Sequence, residues 1–153
     1  MANAYHQIYI QAVFGVKYRN ATIDKRWKND FLAVIGNLIN ETGCKNYIVN
    51  GVEDHVHCFF GLKPSVTVSG VMQSVKAKSS KWLNEGDLIT NRFEWQKGYG
   101  AFSYSRSQLD DVIRYIQRQE QHHQQMTFRE EYLKMLDKFE VNYDEAYIFK
   151  ELQ

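Results

Sequence analysis

The first half of the chain alternates between two patterns of apolar residues. Residues 5–19 alternate aromatic and β-branched side chains with polar ones, and this two-residue period predicts a β-strand. Residues 23–43 place apolar side chains three and four positions apart, which predicts an amphipathic helix with Asp24 as its cap and a glycine at its end. Residues 44–52 and 55–62 are two more strand-like runs, and the short acidic segment between them predicts a hairpin.

The second half of the chain continues with helices around one more strand. Residues 65–84 carry their apolar side chains on one side and their lysines largely elsewhere, which predicts a second amphipathic helix. The pattern of residues 92–105 predicts a strand region interrupted by two glycines, and residues 108–125 and 127–139 have the periodicity of helices. The predicted order is therefore strand, helix, strand, strand, helix, strand, and then helices.

This order predicts an α+β fold of the ferredoxin-like, or RRM-like, kind. In that βαββαβ arrangement two helices cross one face of an antiparallel sheet. The chain has 153 residues, of which 44% are hydrophobic, so we expect a single domain over residues 1–153. Because the fold serves RNA-binding modules, small-molecule sensors and nucleases alike, function has to be inferred from the site.

The composition narrows the cellular setting. Cys44 and Cys58 lie in apolar surroundings without metal-ligand spacing, which is typical of buried thiols in a reducing compartment. The first residues do not form a basic segment followed by a long apolar one, and no apolar run is long enough to cross a bilayer. We therefore expect a soluble, cytoplasmic protein.

The formal net charge of +1 conceals an uneven distribution. Residues 61–106 contain seven Lys and Arg against three acidic residues, whereas residues 107–153 contain six basic against ten acidic residues. A basic middle next to an acidic tail is compatible with nucleic-acid binding, although a solvated helix face explains the lysines of VKAKSSKW equally well.

Two histidines interrupt the apolar run of residues 55–62. Residues two apart on a strand point to the same face, so His55 and His57 project together and flank one point in space. Their neutral ring nitrogens suit a divalent metal ion, which also needs a third ligand before it can act on a substrate. The same motif arises by chance, and it then marks only two histidines on a half-exposed strand.

A tyrosine and a glutamine lie at one edge of the apolar stripe predicted for residues 108–125. Tyr115 and Gln119 are four residues apart, so their side chains lie one above the other on a helix. Together they would present a phenol nucleophile and an amide oxygen ligand to a metal held by the histidines. Taken singly, such a tyrosine usually packs with its hydroxyl in water, and such a glutamine is usually a surface residue.

These motifs resemble those of the HUH endonuclease superfamily. His55-Val56-His57 is similar to its histidine-hydrophobic-histidine signature, and Tyr115 with Gln119 matches the pattern of its single-tyrosine transposases. The resemblance covers nearly the whole chain, since further segments are similar to blocks of insertion-sequence transposases of this type, in the expected order: VKAKSSKWLN, WQKGYGAFSYSRSQ, YIQRQEQHH and TFREEYLKML.

The resemblance implies a DNA transposase that cleaves and rejoins single-stranded DNA. It implies that His55, His57 and Gln119 hold Mg²⁺ or Mn²⁺, while Tyr115 attacks phosphorus to give a 5′-phosphotyrosine and a free 3′-hydroxyl. Because one phosphodiester is exchanged for another, a different 3′-hydroxyl can reverse the step without ATP. The resemblance also implies hairpin-forming DNA ends and a homodimer, in which the tyrosine helix of one subunit completes the histidine site of the other.

The basic middle of the chain then has an expected function. Its cations would neutralise phosphates, and aromatic side chains among them would stack on exposed bases, although the position of Trp82 on the apolar side of its helix favours the core. The expected phosphate-binding residues are Lys76, Lys78, Lys81, Lys97 and Arg106. The expected stacking residues are Trp82, Trp95, Tyr99, Phe102 and Tyr104.

The titratable residues close to the motifs have more than one interpretation each. Glu53 and Asp54 fit the chemistry of the hairpin turn, and either carboxylate could also accept a hydrogen bond from a metal-binding histidine. His122 lies seven residues after Tyr115 and either orients the phenol, contacts a phosphate or is solvated at the helix end. We assign neither His122 nor His123 to the metal.

Two other functions compete with an active transposase. A nucleic-acid-binding module of RNA-recognition type would use the same sheet and would not need Tyr115, but the chain lacks the signature of those modules, and its nearest phrase, KGYGAF, lies outside the expected strand. A domesticated relative that acts on host repeats would keep the endonuclease residues, and only the flanking DNA distinguishes it from a mobile element.

Overall fold

The computed structural model describes residues 5–153, which form one four-stranded sheet with helices on both faces. The elements in chain order are β1 (Tyr9–Gly15), α1 (Lys28–Glu41), β2 (Lys45–Val52), β3 (His55–Gly61), α2 (Val68–Glu85), β4 (Gly100–Tyr104), α3 (Leu109–Gln117), α4 (Gln119–His122) and α5 (Phe128–Lys138). All strand pairs are antiparallel, in the order β2-β3-β1-β4. The predicted α+β, ferredoxin-like arrangement is thereby confirmed.

Three elements differ from the sequence prediction. Helix α1 begins at Lys28, later than predicted, and Asp24 caps the turn that precedes it: its carboxylate accepts hydrogen bonds from the backbone N–H and the guanidinium of Arg26. The strand predicted at 92–105 is reduced to β4, because Gly98 turns the chain with a φ of 85°. The single helix predicted at 108–125 is broken at Arg118, which separates α3 from the one-turn helix α4.

Alternate residues of the sheet face two different layers. On one face Phe14 of β1 contacts Trp95, and Trp95 stacks on Phe31 of α1, so this layer is the core shared with α1 and α2. On the other face Tyr9 packs with a small apolar cluster that includes Val112 of α3. The helices after β4 therefore cover the sheet face that the ferredoxin-like core alone would leave open.

The β2–β3 hairpin sets the position of the histidine pair. The carbonyl groups of its turn residues Glu53 and Asp54 accept backbone hydrogen bonds of 2.9 Å from Ile23 and 2.8 Å from Val16, which anchor the turn to the connection between β1 and α1. Gly51 lies opposite Val56 across the hairpin. The turn is thus fixed immediately before the first histidine of β3.

Two further features agree with the sequence. Cys44 and Cys58 are both free and buried, and burial raises the pKa of the Cys58 thiol well above its ordinary value. Such a thiol is expected to be chemically inert. Within residues 5–153, no helix has both the length and the apolar character needed to cross a membrane.

The hairpin should not tolerate a side chain at Gly51. A Cβ atom there would lie 2.3 Å from the backbone oxygen of His55, whereas one at Gly61 at the far end of β3 would approach the Tyr47 ring no closer than 3.6 Å. We expect Gly51→Ala to lower the free energy of unfolding by about 1–3 kcal/mol, because the backbone of the hairpin must move to make room for the methyl group. Gly61→Ala is the matched control, and equal losses for both variants in denaturant unfolding would contradict this account.

Candidate active site

The two histidines of β3 lie side by side beneath the C-terminal helices. His55 and His57 are fully buried, and their ring centroids are 5.1 Å apart. Their places in the β1–β3 register, opposite Gly15 and Val13, put both on the sheet face that α3 to α5 cover. The expectation that the pair shares one face is correct, but the face is enclosed and not half exposed.

Both histidines point at a carboxylate that was not among the site residues expected from the sequence, although it belongs to the TFREEYLKML segment. Glu131 of α5 is only 2% exposed, and its Oε1 atom lies 3.2 Å from His55 Nε2 and 3.0 Å from His57 Nε2. The same oxygen lies 2.9 Å from Nε2 of His123. Three imidazoles therefore converge on one carboxylate oxygen.

The geometry of α5 explains why Glu131 points inward. The helix begins at Phe128 and is capped by Thr127, whose hydroxyl accepts a hydrogen bond from the Glu130 amide. Glu131 lies on the same side of the helix as the buried residues Phe128, Tyr132 and Met135. Because that side packs on the sheet, the carboxylate is carried down to the histidines, and Phe128 stacks on the His55 ring at 4.1 Å.

Glycines in the sheet leave room for this packing. A Cβ atom on Gly15 would lie 2.8 Å from the Phe128 ring, and one on Gly100 would lie 2.5 Å from the Tyr132 ring. The two glycines that were expected to interrupt the strand region of residues 92–105 have different roles. Gly98 turns the chain, whereas Gly100 lies in β4 and makes space for α5.

Tyr115 and Gln119 reach the same carboxylate from the other side. The Tyr115 hydroxyl donates a hydrogen bond to Glu131 Oε2, and Gln119 Nε2 donates to that atom over 3.0 Å. Gln119 is fully buried, and its Oε1 lies 3.0 Å from His55 Nε2. The four site residues that the sequence singled out therefore surround Glu131 within one chain.

The two histidines after Gln119 have separate surroundings. The His122 ring packs against the Tyr115 ring with centroids 4.6 Å apart, while its Nε2 atom is buried and has no hydrogen-bond partner among residues 5–153. His123 instead contacts Glu131 and packs near His55 with centroids 4.4 Å apart. One of the two is thus part of the cluster, although neither was assigned to it from the sequence.

Further contacts to the Nδ1 atoms fix the orientation of the His55 and His57 imidazoles. Asp54 Oδ1 lies 2.7 Å from Nδ1 of His55, so the hairpin carboxylate fills the supporting role that the sequence left open. Gln11 of β1 lies 2.9 Å from Nδ1 of His57 and accepts a 2.7 Å hydrogen bond from the Tyr104 hydroxyl. Both histidines therefore present Nε2 to the centre of the cluster.

Burial and charge change the pKa values of this cluster in opposite directions. Burial would raise the pKa of Glu131, but hydrogen bonds from His123, His55 and His57 outweigh it and hold the pKa well below its ordinary value. Burial lowers the pKa of His57. For His55 burial also acts to lower the pKa, but Asp54 and Glu131 outweigh it and the pKa is raised.

The phenol of Tyr115 is held in its protonated form. Burial first, and then the negative charge of Glu131 beside it, raise its pKa well above the ordinary value. The hydroxyl can therefore attack an electrophile only if its proton leaves during the attack. The carboxylate to which it donates is the nearest acceptor.

The expected phosphate-binding residues are spread over the molecule. Lys76 donates hydrogen bonds of 2.8 and 2.7 Å to the carbonyl groups of Gln96 and Gly98, and burial lowers its pKa to about 8. Its ammonium therefore stabilises the loop before β4 through these two hydrogen bonds. Lys78 and Lys81 are exposed on α2, whose apolar side packs in the layer on the other face of the sheet from the cluster.

The remaining basic candidates lie on either side of β4, and some of the aromatic ones lie in the core. Lys97 is exposed beside the glycine turn, and Arg106 donates a hydrogen bond to the Tyr9 hydroxyl. Trp95 and Phe102 are buried, so they cannot stack on bases as expected. Trp82 stacks on Phe31, as its place on the apolar side of α2 indicated. Tyr99 and Tyr104 are partly buried and pack against the core.

Glu131 should make stability depend on pH in a predictable way. Because its folded-state pKa is depressed, its stabilisation is complete above the unfolded value near 4.3 and is lost as the pH falls below it. We expect Glu131→Gln to lower the free energy of unfolding by about 2 kcal/mol at pH 7 and by less at pH 3.

Chemical denaturation of both proteins at the two pH values measures this difference. Glu130→Gln, one residue earlier on the exposed side of α5, is the matched control and should change little at either pH. If the difference in the free energy of unfolding between wild type and Glu131→Gln stays constant or grows from pH 7 to pH 3, the role given to the carboxylate is refuted.

Comparisons with known proteins show the family to which this chain belongs. A family model described as transposase IS200 like matches residues 4–119. A transposase candidate from Deinococcus radiodurans R1 has a similar structure, with a TM-score of 0.60 and 14% identity over 78% of this chain and 95% of the other. A REP-associated tyrosine transposase bound to a REP hairpin also has a TM-score of 0.60, with 12% identity over 100% of this chain and 96% of the other.

A search of curated proteins gave no match. The two solved structures agree with the fold described above, and the family model covers most of the chain, from the N-terminal strand to Gln119. The resemblance inferred from the histidine pair and from Tyr115 is thereby confirmed at the level of the family. The chain belongs to the IS200-like transposases.

Proposed function

We propose that this transposase cleaves and rejoins single-stranded DNA with Tyr115 as its nucleophile and a divalent metal ion as its cofactor. The observation that carries the proposal is the convergence on Glu131 of the tyrosine hydroxyl and both β3 histidines. A partly buried phenol next to a cluster of metal-ligating side chains is the arrangement that phosphoryl transfer to tyrosine requires.

The donor atoms of the cluster fit a divalent metal ion. One ligand atom from each of His55, His57 and Glu131 lies within 4.8 Å of the others, and the Gln119 amide oxygen is adjacent. Two neutral imidazoles with carboxylate and amide oxygens suit Mg²⁺ or Mn²⁺. When bound, the metal would withdraw charge from the scissile phosphate and fix its orientation. Glu131 thus joins the three ligands expected from the sequence.

The hydrogen bonds behind the imidazoles support this ligand set. A histidine that binds a metal through Nε2 must carry its proton on Nδ1. Asp54 accepts such a proton from His55. For His57 the partner is the Gln11 amide, which can rotate so that its oxygen accepts from Nδ1 while its NH₂ group turns to the Tyr104 hydroxyl.

The two oxygens of the Glu131 carboxylate have different roles. Oε1 faces the imidazoles, and Oε2 accepts from the Tyr115 hydroxyl. As the phenolic oxygen bonds to phosphorus, its proton passes to Oε2, and the bond from phosphorus to the 3′-oxygen breaks. The departing 3′-oxygen takes up a proton from water, so the products are a 5′-phosphotyrosine and a 3′-hydroxyl. Attack by another 3′-hydroxyl runs the same steps in reverse and frees Tyr115.

The substrate is single-stranded DNA, proposed here with hairpin-forming ends. One structural neighbour is a tyrosine transposase bound to a REP hairpin, and the shared fold supports a similar class of ligand for this chain. Whether the chain serves a mobile element or host repeats does not change the chemistry.

Phosphate contacts by Lys78, Lys81, Lys97 and Arg106 stay a prediction. The homodimer also stays a prediction, and exchange of the tyrosine helix is not needed to complete the cluster, since one chain supplies every side chain.

A binding module of RNA-recognition type is less compatible with the structure. Such a module binds nucleic acid on the open face of its sheet. In this chain Gln11, His57 and Phe59 on that face are buried under α3 to α5.

Replacement of the nucleophile gives the most direct test of the chemistry. Tyr115→Phe removes one oxygen atom, so we expect DNA binding to persist and a covalent protein–DNA adduct to disappear completely. The measurement is incubation with labelled single-stranded DNA and Mg²⁺ or Mn²⁺, followed by denaturing electrophoresis. Tyr47→Phe, on the same sheet face but at its far end, is the matched control and should keep the adduct. An adduct with Tyr115→Phe would show that another residue is the nucleophile.

A further inference from the structure

Two cavities reach the Glu131 cluster. The first, of about 540 Å³, lies between α3 and α5 and includes Tyr115 and Glu131 in its wall. The second, of about 930 Å³, lies next to the β2–β3 turn and includes Asp54 and His123. Met126 lines both. Tyr115 lines the first cavity, so a strand of DNA can reach its hydroxyl from that side.

The charges around the second cavity disfavour DNA. Its two lysines face a surplus of acidic groups, and the ammonium of Lys28 is already paired with Glu120 at 3.1 Å. Phosphates would meet mainly carboxylates there. The acidic residues that line this cavity are Asp24, Glu53, Asp54, Glu120 and Glu130.

The first cavity has the opposite arrangement. Lys134 and Lys138 lie one helical turn apart on α5, both exposed, and neither has an ion-pair partner among residues 5–153. Of the two carboxylates in its wall, Asp111 is paired with Arg114 and Glu131 is occupied by the cluster. The two lysines are therefore the available charges on this side.

The same cavity offers a surface for a nucleobase. Tyr104 and Phe139 line it with their rings packed edge to face, 5.3 Å between centroids. A volume of about 540 Å³ is within the range of pockets that enclose one drug-sized molecule, which is the size of a single nucleotide. Stacking on aromatic side chains tolerates any base, as binding to single strands requires.

We propose that this cavity binds the nucleotide that carries the attacked phosphate. That nucleotide stays bonded to the tyrosine oxygen after cleavage and therefore remains next to Tyr115, which lines this cavity, whereas the nucleotide with the 3′-hydroxyl is no longer attached to it. Its base packs against Tyr104 and Phe139, and Lys134 and Lys138 contact the phosphates that follow. The assignment rests on the proposed function of Tyr115, and it places the DNA path on α5, outside the basic middle of the sequence.

The salt dependence of DNA binding tests the proposal. The double variant Lys134→Ala/Lys138→Ala is compared with wild type by fluorescence anisotropy of a labelled single-stranded oligonucleotide, without divalent metal. Loss of two phosphate contacts should reduce the steepness of log K against log salt by about 1.4. Lys25→Ala, an exposed lysine of the second cavity, is the matched control and should leave the slope unchanged.

The possible outcomes separate this proposal from the proposed function. An unchanged slope for the double variant, or an equal change for Lys25→Ala, would overturn the cavity assignment, whether or not wild type forms a covalent adduct. A reduced slope restricted to the double variant would support it even if no adduct forms with Tyr115.

A second experiment examines the base. Once the cleaved bond of an oligonucleotide is located from its adduct, removal of the base next to the attacked phosphate should raise KM for adduct formation about fivefold or more, since that base loses its stacking surface. Removal of a base ten nucleotides away is the control and should have no effect. Equal KM values for the two abasic substrates would contradict the inference.

Discussion

The site of this protein depends on one buried carboxylate. Glu131 accepts hydrogen bonds on both oxygens and joins the histidines of β3 to Tyr115 and Gln119. A charged group with this little exposure is stable only while all of its partners stay in place. Any shift that removed one of these hydrogen bonds would cost free energy. The buried carboxylate therefore fixes the relative positions of the sheet, α3 and α5 more precisely than apolar packing alone does.

This constraint accounts for the helices that follow the ferredoxin-like core. They cover a sheet face on which Gln11, His55 and His57 would otherwise be solvated, and they turn it into an enclosed site. Gly15 and Gly100 allow the aromatic residues of α5 to approach the strands. The family model ends at Gln119, so α5, with its carboxylate, lies in the part of the chain beyond the matched residues.

Local patterns in the sequence were sufficient for the fold and for part of the site. Strand and helix periods indicated the βαββαβ order, and the spacings of His55 with His57 and of Tyr115 with Gln119 placed each pair on one side of its element. Glu131 did carry a signal, since it interrupts the apolar stripe of α5. Its contact with the histidines depends on how α5 docks on the sheet, which no local pattern specifies. The position of Lys76 beneath the 96–98 loop was beyond prediction for the same reason.

The central claim is that His55, His57 and Glu131 bind one divalent ion next to Tyr115. Crystals soaked in Mn²⁺, with data collected at the manganese absorption edge, test it most directly. The account predicts one strong anomalous peak between the Nε2 atoms of the two histidines and the Glu131 carboxylate, absent from crystals of the variant His55→Ala/His57→Ala. A peak elsewhere, or none at this cluster in wild-type crystals saturated with Mn²⁺, would contradict it.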